Sequence, residues 1–284
     1  MGFFDFGREI KEKADRSRQA REYLSMAKDY IRQGDEIYEK AYNKVSSYAS
    51  ETEYELRKHS DYKKNIAKEL GSNVGNTLKS FSNFNIDSKV FSAPAIQNIQ
   101  SSSMDLGSSF KSAVSSCMPN TDMHSQFGSI LDMFISDDDY YEAKHQKDEA
   151  KRYKEHMKME RDKLNNYKEQ MSEIRSFISA EKNELDSLMG KVRKMTSELQ
   201  AGMQKSNFSQ EEADYLKGMH KITECIVTLL STQFINDSLS ITQKYQQVFS
   251  GVKTINQNLP YAPSINDQTT LDAIKRILDG TIVY

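Results

Sequence analysis

Residues 143–199, AKHQKDEAKRYKEHMKMERDKLNNYKEQMSEIRSFISAEKNELDSLMGKVRKMTSEL, decide the fold of this chain. Every seventh residue from Ala143 to Leu199 is apolar. The positions three residues later are mostly apolar too, with polar interruptions at Gln146, Glu160 and Glu181. Apolar residues at alternating spacings of three and four form the seam of a coiled coil, because 3.5 residues per turn keeps one stripe facing a partner helix. The stretch therefore predicts a long helix that pairs with another helix.

An earlier stretch repeats the pattern less regularly. Apolar or small residues alternate at spacings of four and three from Ala20 to Tyr48, and a weaker continuation reaches Ile66. Gly71, directly after Leu70, is typical of the residue that ends a helix. The seam of this first helix is rich in small residues, whereas the second seam carries Met, Leu and Tyr. Small side chains facing large ones let two helices approach closely and still fill the space between them.

The distribution of charge divides the chain into four segments. Residues 1–70 contain 15 Lys/Arg and 14 Asp/Glu, and residues 137–203 contain 14 and 15. Residues 71–136 contain only 3 and 4, together with 16 serines. We interpret these segments as a first long helix, a charge-poor and Ser-rich helical head (71–136), a second long helix, and C-terminal helices that pack on the pair (204–284).

The fold class that follows is all-α. The two charged segments have nearly equal length, which favours an elongated antiparallel coiled-coil hairpin with the small helical head inserted between its arms. In that register the numbers of facing residues sum to about 207, which places Leu24 near Leu185 and Ala41 near Asn166 or Tyr167. The alternative is a homodimer in which each arm pairs with its own copy. We favour the hairpin because tethered helices are already at high effective concentration.

Local signals predict the helices of the C-terminal segment. Ser209 and Glu212 form a capping box, in which the two residues satisfy each other's backbone N–H groups at the start of a helix. The apolar phase shifts around Asn236–Ser240, which predicts a break there. Two prolines make residues 258–267 a loop, and a last short helix is expected from Thr269 to about Gly280.

Composition argues against several classes of protein. The net charge of −2 and the close mixing of acids and bases argue against a nucleic-acid binder, which needs a cationic surface. Two distant cysteines do not suggest a disulfide scaffold. The sequence shows no secretory signal and no stretch of 18 apolar residues, so we expect a cytoplasmic protein, with peripheral membrane binding or release without a signal peptide as alternatives.

No motif for catalysis or for cofactor binding stands out. Glu142 and His145 form an E-x-x-H pair, and His156 falls on nearly the same helical face. A di-metal helical bundle needs two such motifs and further inward carboxylates, so we interpret this charged stretch as a solvated face. We therefore expect no catalytic, cofactor-binding or metal-binding residues, and a protein that is not an enzyme.

Aromatic and aliphatic residues at two places are the candidate contact sites. The chain begins MGFFDFG, and its phenylalanines need cover from a bilayer, a partner or the protein's own core. We weigh a plug at the foot of the hairpin, beside residues 200–210, against a short amphipathic helix at a membrane interface. The head repeats apolar residues at helical spacing. The candidates for membrane or partner contact are Phe3, Phe4, Phe6, Phe110, Phe127, Ile130 and Phe134.

Two functional hypotheses follow. The first is a structural or interaction protein, a scaffold that binds protein partners through helical surfaces within a multi-protein system. The second rests on the order of the segments: two long helices around a charge-poor segment resemble the coiled-coil class of α-helical pore-forming toxins. That resemblance covers residues 1–203 and implies that residues 71–136 enter the membrane. The head departs from that class because Pro94, Asp105, Lys111 and other residues interrupt its apolar character.

Overall fold

The structure, a computed structural model, describes residues 3–81, 106–117, 140–202 and 209–282. The described residues include no β-strand, so the predicted all-α class is confirmed. One π-helical turn, Leu70–Val74, links the first two helices. The helices in chain order are α1 (Phe3–Glu69), α2 (Gly75–Ser80), α3 (Leu106–Cys117), α4 (Tyr140–Gly202), α5 (Gln210–Ser231), α6 (Gln243–Asn258) and α7 (Gln268–Leu278).

The chain forms two compact units. Unit 1 consists of Met1–Ala49 and Ser116–Glu169, and unit 2 consists of Ser50–Ser115 and Gln170–Tyr284. Each of the two long helices, α1 and α4, contributes residues to both units. The pairing of the long helices is therefore described separately for each unit.

Most of the predicted seam of α4 is buried, and Tyr167 on it is only partly buried. All nine residues at seven-residue spacing from Ala143 to Leu199 are at most 7% exposed. The polar interruptions Gln146, Glu160 and Glu181 are buried as well. The heptad pattern therefore identified the packed face of the helix correctly, and it also marks polar side chains that the fold has to satisfy inside the protein.

In unit 1 the long helices run in the same direction. The ring of Tyr23 in α1 lies 5.5 Å from the ring of Tyr140, the first residue of α4. Further along, the Tyr153 hydroxyl donates to Asp35 Oδ1 (2.5 Å), a pair separated by 118 positions in the chain. Numbers on both helices thus rise together, which is the signature of a parallel pair.

Unit 2 shows the same parallel direction of α1 and α4, with a slightly larger offset. Arg175 Nη1 donates to Glu51 Oε2 (3.1 Å) across 124 positions. The Arg193 guanidinium donates hydrogen bonds to both carboxylate oxygens of Glu69, at 2.5 and 2.8 Å, again across 124 positions. An antiparallel pair would keep the sum of the two numbers constant, whereas here their difference is constant.

The predicted direction and register of the helix pair are therefore wrong, although the pairing of the two long helices within one chain is confirmed. Leu24 does not face Leu185, because the observed offset of 118 to 121 positions places Leu24 beside the beginning of α4. The same offset places Ala41 within about one helical turn of Asn166 and Tyr167, so this pair does not distinguish the two orientations. The physical reason is that an apolar seam has no direction, so the same heptads fit either orientation. Polar pairs between the helices distinguish the two orientations.

The pairing of small with large residues is confirmed in unit 1. A Cβ added to Gly34 in α1 would lie 3.0 Å from Tyr153 Cε1 and 3.3 Å from Met157 Cγ in α4. Ala20 and Ala27 on the same seam are each only 1% exposed. The small residues of α1 therefore make room for the large side chains of α4, and they set how closely the two helices approach.

The first long helix does not stop at Gly71. Gly71 lies in the π-helical turn, and the Gly75 N–H donates to the Leu70 carbonyl, so the chain stays helical to Ser80. Leu70 and Val74 are buried in that turn. Burial of these apolar side chains outweighs the weak helix propensity of glycine.

The C-terminal helices of unit 2 follow their local signals. Ser209 and Glu212 make the predicted capping box at the start of α5, with hydrogen bonds of 2.8 and 3.3 Å. The break expected near Asn236–Ser240 lies between α5 and α6. The final helix, α7, is capped by the Asp267 carboxylate and is followed by Gly280 with a positive φ of 71°. These three predictions are confirmed.

Candidate functional site: a buried polar cluster in unit 2

Four polar side chains from three helices of unit 2 meet in its core. Glu181 comes from the seam of α4, His59 and Lys63 come from successive turns of α1, and Tyr245 comes from the first turn of α6. We call these four residues the Glu181 cluster. Their side chains are between 0% and 2% exposed. Burial this complete requires that the polar groups satisfy one another.

The Glu181 carboxylate is the hub of the cluster. Its Oε2 accepts a hydrogen bond from His59 Nε2 (2.9 Å). Its Oε1 lies 3.1 Å from Lys63 Nζ and also accepts a hydrogen bond from the Tyr245 hydroxyl. Lys63 Nζ in turn donates to the Tyr245 hydroxyl oxygen. One carboxylate thus ties α6 to both long helices.

Aromatic rings enclose the polar groups. Lys63 Nζ lies over the ring of Tyr245, 4.5 Å from its centroid, and over Phe234, 5.3 Å away. The Phe234 ring also lies 6.2 Å from the imidazole of His59. These contacts place the ammonium group against electron-rich ring faces, which partly compensate its loss of water. Phe177 and Phe249 extend the aromatic packing around Tyr245 and Phe234.

The electrostatics favour one ion pair with a neutral imidazole. Burial alone would raise the pKa of Glu181, but the Lys63 ammonium and the hydrogen bond from His59 outweigh it and hold that pKa at about 2. Burial lowers the pKa of His59 and of Lys63, in each case against the attraction of Glu181. Burial also raises the pKa of Tyr245 well above its ordinary value.

The imidazole of His59 is only half satisfied. Its Nε2 is bonded to Glu181, but its Nδ1 is buried and has no hydrogen-bond partner among the described residues. Because Glu181 accepts, the proton of the neutral ring lies on Nε2 and Nδ1 carries a bare lone pair. An unpaired buried acceptor lowers the stability of the folded state, so the other contacts of the Glu181 cluster have to offset that loss.

Further polar contacts hold the distal end of α6 to α4. Lys191 Nζ donates to the backbone carbonyls of Asn256 (2.5 Å) and Leu259 (3.0 Å), where α6 ends. A cation at this position satisfies carbonyls that have no partner within the helix. Glu184 accepts from Asn256 Nδ2 at 2.6 Å. The helix α6 is therefore fastened at both ends by polar side chains of α4.

The Glu181 cluster combines groups that could transfer protons, but its chemistry is confined to the core. All four side chains are closed to solvent, and a substrate would have to displace the aromatic rings to reach them. Truncating one partner of such a buried pair is costly because the other charge is left uncompensated. The cluster is therefore suited to specifying how three helices pack together.

Comparisons with protein-family models, with curated proteins and with solved structures give no match to this chain. Its function therefore has to be argued from its own residues.

The residues predicted for membrane or partner contact fall mostly outside the described part of the chain. Phe127, Ile130 and Phe134 lie outside it, and the side chains of Phe3, Phe4 and Phe6 do so too, although α1 begins at Phe3. Phe110 in α3 is described and is only 1% exposed. A contact between Phe110 and a bilayer or a partner would therefore require α3 to detach from its neighbours.

The histidines considered as metal ligands lie apart from the cluster. His145 is largely exposed and faces Glu149 at 3.8 Å, and His156 lies 3.9 Å from Glu160. In the part of the chain that the structure describes, no three side chains of His, Cys, Asp or Glu are grouped so that they could hold a metal ion. No described helix has the length and apolar composition that spanning a membrane requires.

Sequence reasoning missed the Glu181 cluster, although the sequence marks two of its members. Glu181 interrupts the second seam and His59 occupies a weak position of the first. A charged residue at a seam position signals a buried polar contact. Nothing in the pattern points to Tyr245, which belongs to a distant segment and reaches the cluster only in the folded chain.

Proposed function

We propose that this protein is a non-enzymatic helical scaffold that binds protein partners through the outer surfaces of its long helices, as one component of a multi-protein system. The observation that carries the proposal is the sealing of the Glu181 cluster. Perturbed titratable groups in an enzyme lie in a cleft that substrate can enter. In this protein they lie between helices, where they contribute to packing.

The outer surface of unit 1 offers contact points for a partner helix. Met26 in α1 is 46% exposed, and Met159 in α4 is 56% exposed. Neither lies on the seam that α1 and α4 share. Methionine side chains are flexible and polarisable, and they are used at surfaces that bind other helices. The charges around them alternate in sign, with pairs such as Arg32 and Glu36 at 2.9 Å, which is typical of exposed helical faces.

The variant Met26→Glu/Met159→Glu tests this proposal. We expect the variant to melt at the same temperature as the wild type. The partner is defined as a protein that co-purifies stoichiometrically with the tagged wild-type chain from its own cells, and the variant should retain at least about tenfold less of it. Gln19→Glu/Asn165→Glu adds the same charge at exposed positions and is the matched control. Absence of any stoichiometric partner of the wild type would contradict the scaffold proposal.

Membrane contact by the beginning of α1 is a second candidate function. Tyr23 lies beside Tyr140, where α4 begins, so the first turns of α1 precede the start of α4. Residues 11–16 of this helical extension are exposed. The antiparallel register was the reason for placing the aromatic N-terminus beside residues 200–210, and that reason no longer holds. An amphipathic helix at a bilayer surface is the interpretation that this extension supports.

Replacing Phe3, Phe4 and Phe6 together by serine separates an anchor from a core element. If these rings enter a bilayer, the variant should lose co-sedimentation with phosphatidylcholine–phosphatidylglycerol vesicles and keep the melting temperature of the wild type, because only the interfacial apolar contact is removed. A lowered melting temperature with unchanged sedimentation would place the rings in the core instead.

Pore formation by residues 71–136 is the alternative function that the resemblance to α-helical pore-forming toxins implies. Its described part includes α3, in which Phe110 and Ala113 are buried. A pore-forming role would require these residues to leave the core of unit 2. Dye release from the same vesicles measures this activity directly, and the scaffold proposal expects none.

A further inference from the structure

The Glu181 cluster joins α6 to the long helices through few atoms. On the α6 side, Tyr245 alone contributes a hydroxyl to it, and that hydroxyl bonds both Glu181 and Lys63. On the α1 side, His59 holds the second oxygen of the same carboxylate. A change in the protonation of any one of these groups therefore alters the contact that orients Glu181 toward α6.

The charged and titratable groups that face His59 come from the elements around it. On α1 they are Lys63 and Tyr62, whose ring lies 6.0 Å from the imidazole, and α6 contributes Tyr245 next to Glu181. On α4 they are Glu181 and Lys182, with Asp186 held by the Tyr62 hydroxyl at 2.7 Å. The segment between α5 and α6 contributes the uncharged ring of Phe234. Among the described residues, Glu181 is therefore the one carboxylate in hydrogen-bond contact with the imidazole.

We propose that the Glu181 cluster is an acid-sensitive latch, which fastens the first turns of α6 to α1 and α4 at neutral pH and releases them when His59 takes up a proton. The proposal goes beyond the scaffold function, because it assigns a regulated conformational change to one helix of unit 2. The proton would bind at Nδ1 and make the imidazole cationic.

The closed cluster has no means of accommodating that proton. An added Nδ1–H would be a buried donor without an acceptor among the described residues. The new charge would also face the ammonium groups of Lys63 and Lys182, while Glu181 already neutralises Lys63. Separation of the first turns of α6 withdraws Tyr245 from the cluster, and movement of the adjoining Phe234 uncovers the imidazole, so water can solvate the imidazolium and protonation favours the open form.

The sign of the pH dependence follows from the direction of the pKa shifts. Burial lowers the pKa of His59, so the closed form binds fewer protons than the open form once the pH falls below about 6.5, the ordinary value for histidine. Opening then takes up a proton, and acid favours it. The pKa of Glu181 is also lowered and acts in the same direction at lower pH. Acidification therefore loosens α6.

Hydrogen–deuterium exchange of the whole chain tests the latch. Exchange would be measured at pH 7.5, 6.5 and 5.5 with labelling times scaled to the intrinsic exchange rate. We expect the opening constant of peptides from α6 to rise about tenfold between pH 7.5 and 5.5, as uptake of one proton predicts. Peptides from α7, which packs on α5, should show no such rise. Unchanged α6 exchange, or an equal rise throughout unit 2, would overturn the proposal.

The variant His59→Gln isolates the titrating group. A glutamine amide can replace the Nε2 donor to Glu181 but cannot take up a proton, so the rise in α6 opening should shrink to less than about twofold. The matched control is His145→Gln, because His145 is exposed in α4 of unit 1, and it should behave as the wild type. A full tenfold rise in His59→Gln would sink the latch. If that variant does not fold, the wild-type comparison of α6 with α7 still decides.

Discussion

Replacing Lys63 by methionine is expected to lower the free energy of unfolding by about 3–5 kcal/mol, the usual cost of removing one partner from a buried ion pair. Methionine can occupy a similar volume, so packing changes little. The carboxylate of Glu181 loses the ammonium group 3.1 Å away and stays buried with its charge uncompensated. The Tyr245 hydroxyl loses a donor as well. Urea unfolding followed by circular dichroism measures the loss.

The adjacent lysine provides the matched control. Lys64 Nζ lies 2.9 Å from Asp61 Oδ1, at nearly the same distance as the buried pair, but Asp61 is 73% exposed. Solvent screens that ion pair, so Lys64→Met should cost less than about 1 kcal/mol. Equal losses of unfolding free energy in the two variants would show that burial does not increase the contribution of the Lys63–Glu181 ion pair.

A second substitution tests whether the uncompensated carboxylate of Glu181 causes the loss of stability in Lys63→Met. In Lys63→Met/Glu181→Gln the buried charge is gone, while the glutamine oxygen still accepts from His59 or Tyr245. This double variant should therefore be more stable than Lys63→Met alone, and the non-additivity measures the coupling between the two residues. Lys63→Met should also lose less stability on acidification than the wild type, because a charge that lowers the pKa of His59 has been removed. A double variant less stable than Lys63→Met would contradict this account.

The buried faces of the long helices could be predicted from the sequence because burial follows periodicity. Every seventh residue from Ala143 to Leu199 is buried, as 3.5-residue spacing requires. The caps at Ser209 and Asp267 also obey local rules, since a side chain bonds a backbone N–H within three residues. Periodicity and capping depend only on residues that are close together in the sequence, so both can be predicted before the fold is known.

The direction of the helix pair could not be predicted because it depends on pairs far apart in the sequence. Nearly equal arm lengths indicate that the two helices pair, but they do not distinguish an antiparallel pair from a parallel one. The contacts that do distinguish them are polar, such as Arg193 with Glu69 and Tyr153 with Asp35. Each residue of these pairs has alternative partners of suitable charge within a few turns, so the sequence alone does not select one.

The Glu181 cluster shows the same limit at a single site. The charge at a seam position indicates that Glu181 needs a buried partner, and His59 and Lys63 lie one helical turn apart on the facing helix. Periodicity can suggest that much once the parallel register is known. Tyr245 enters from α6 only because α6 packs on both long helices, and packing between segments more than sixty residues apart leaves no local trace.

Gly218→Val should destabilise unit 2 by about 1–3 kcal/mol, the range for forcing extra atoms into a packed core. Gly218 lies in the middle of α5, and a Cβ at this position would be 2.6 Å from Ile274 Cγ2 in α7 and 3.1 Å from Ile274 Cγ1. Ile274 is fully buried and its branched side chain is stiff, so the valine cannot be accommodated without moving α7. Thermal unfolding and proteolysis of the C-terminal segment measure the effect.

Gly190→Val separates steric conflict from helix propensity. Gly190 is also in the interior of a helix, α4, but a Cβ added there meets nothing within 4 Å. Valine forms helices better than glycine, so this variant should gain a few tenths of a kcal/mol. If Gly218 is needed for the close approach of α7, Ile274→Ala should cost less in the Gly218→Val background than in the wild type, because the removed atoms are those that collide. Strict additivity of the two losses would show that Gly218 acts through something other than this contact.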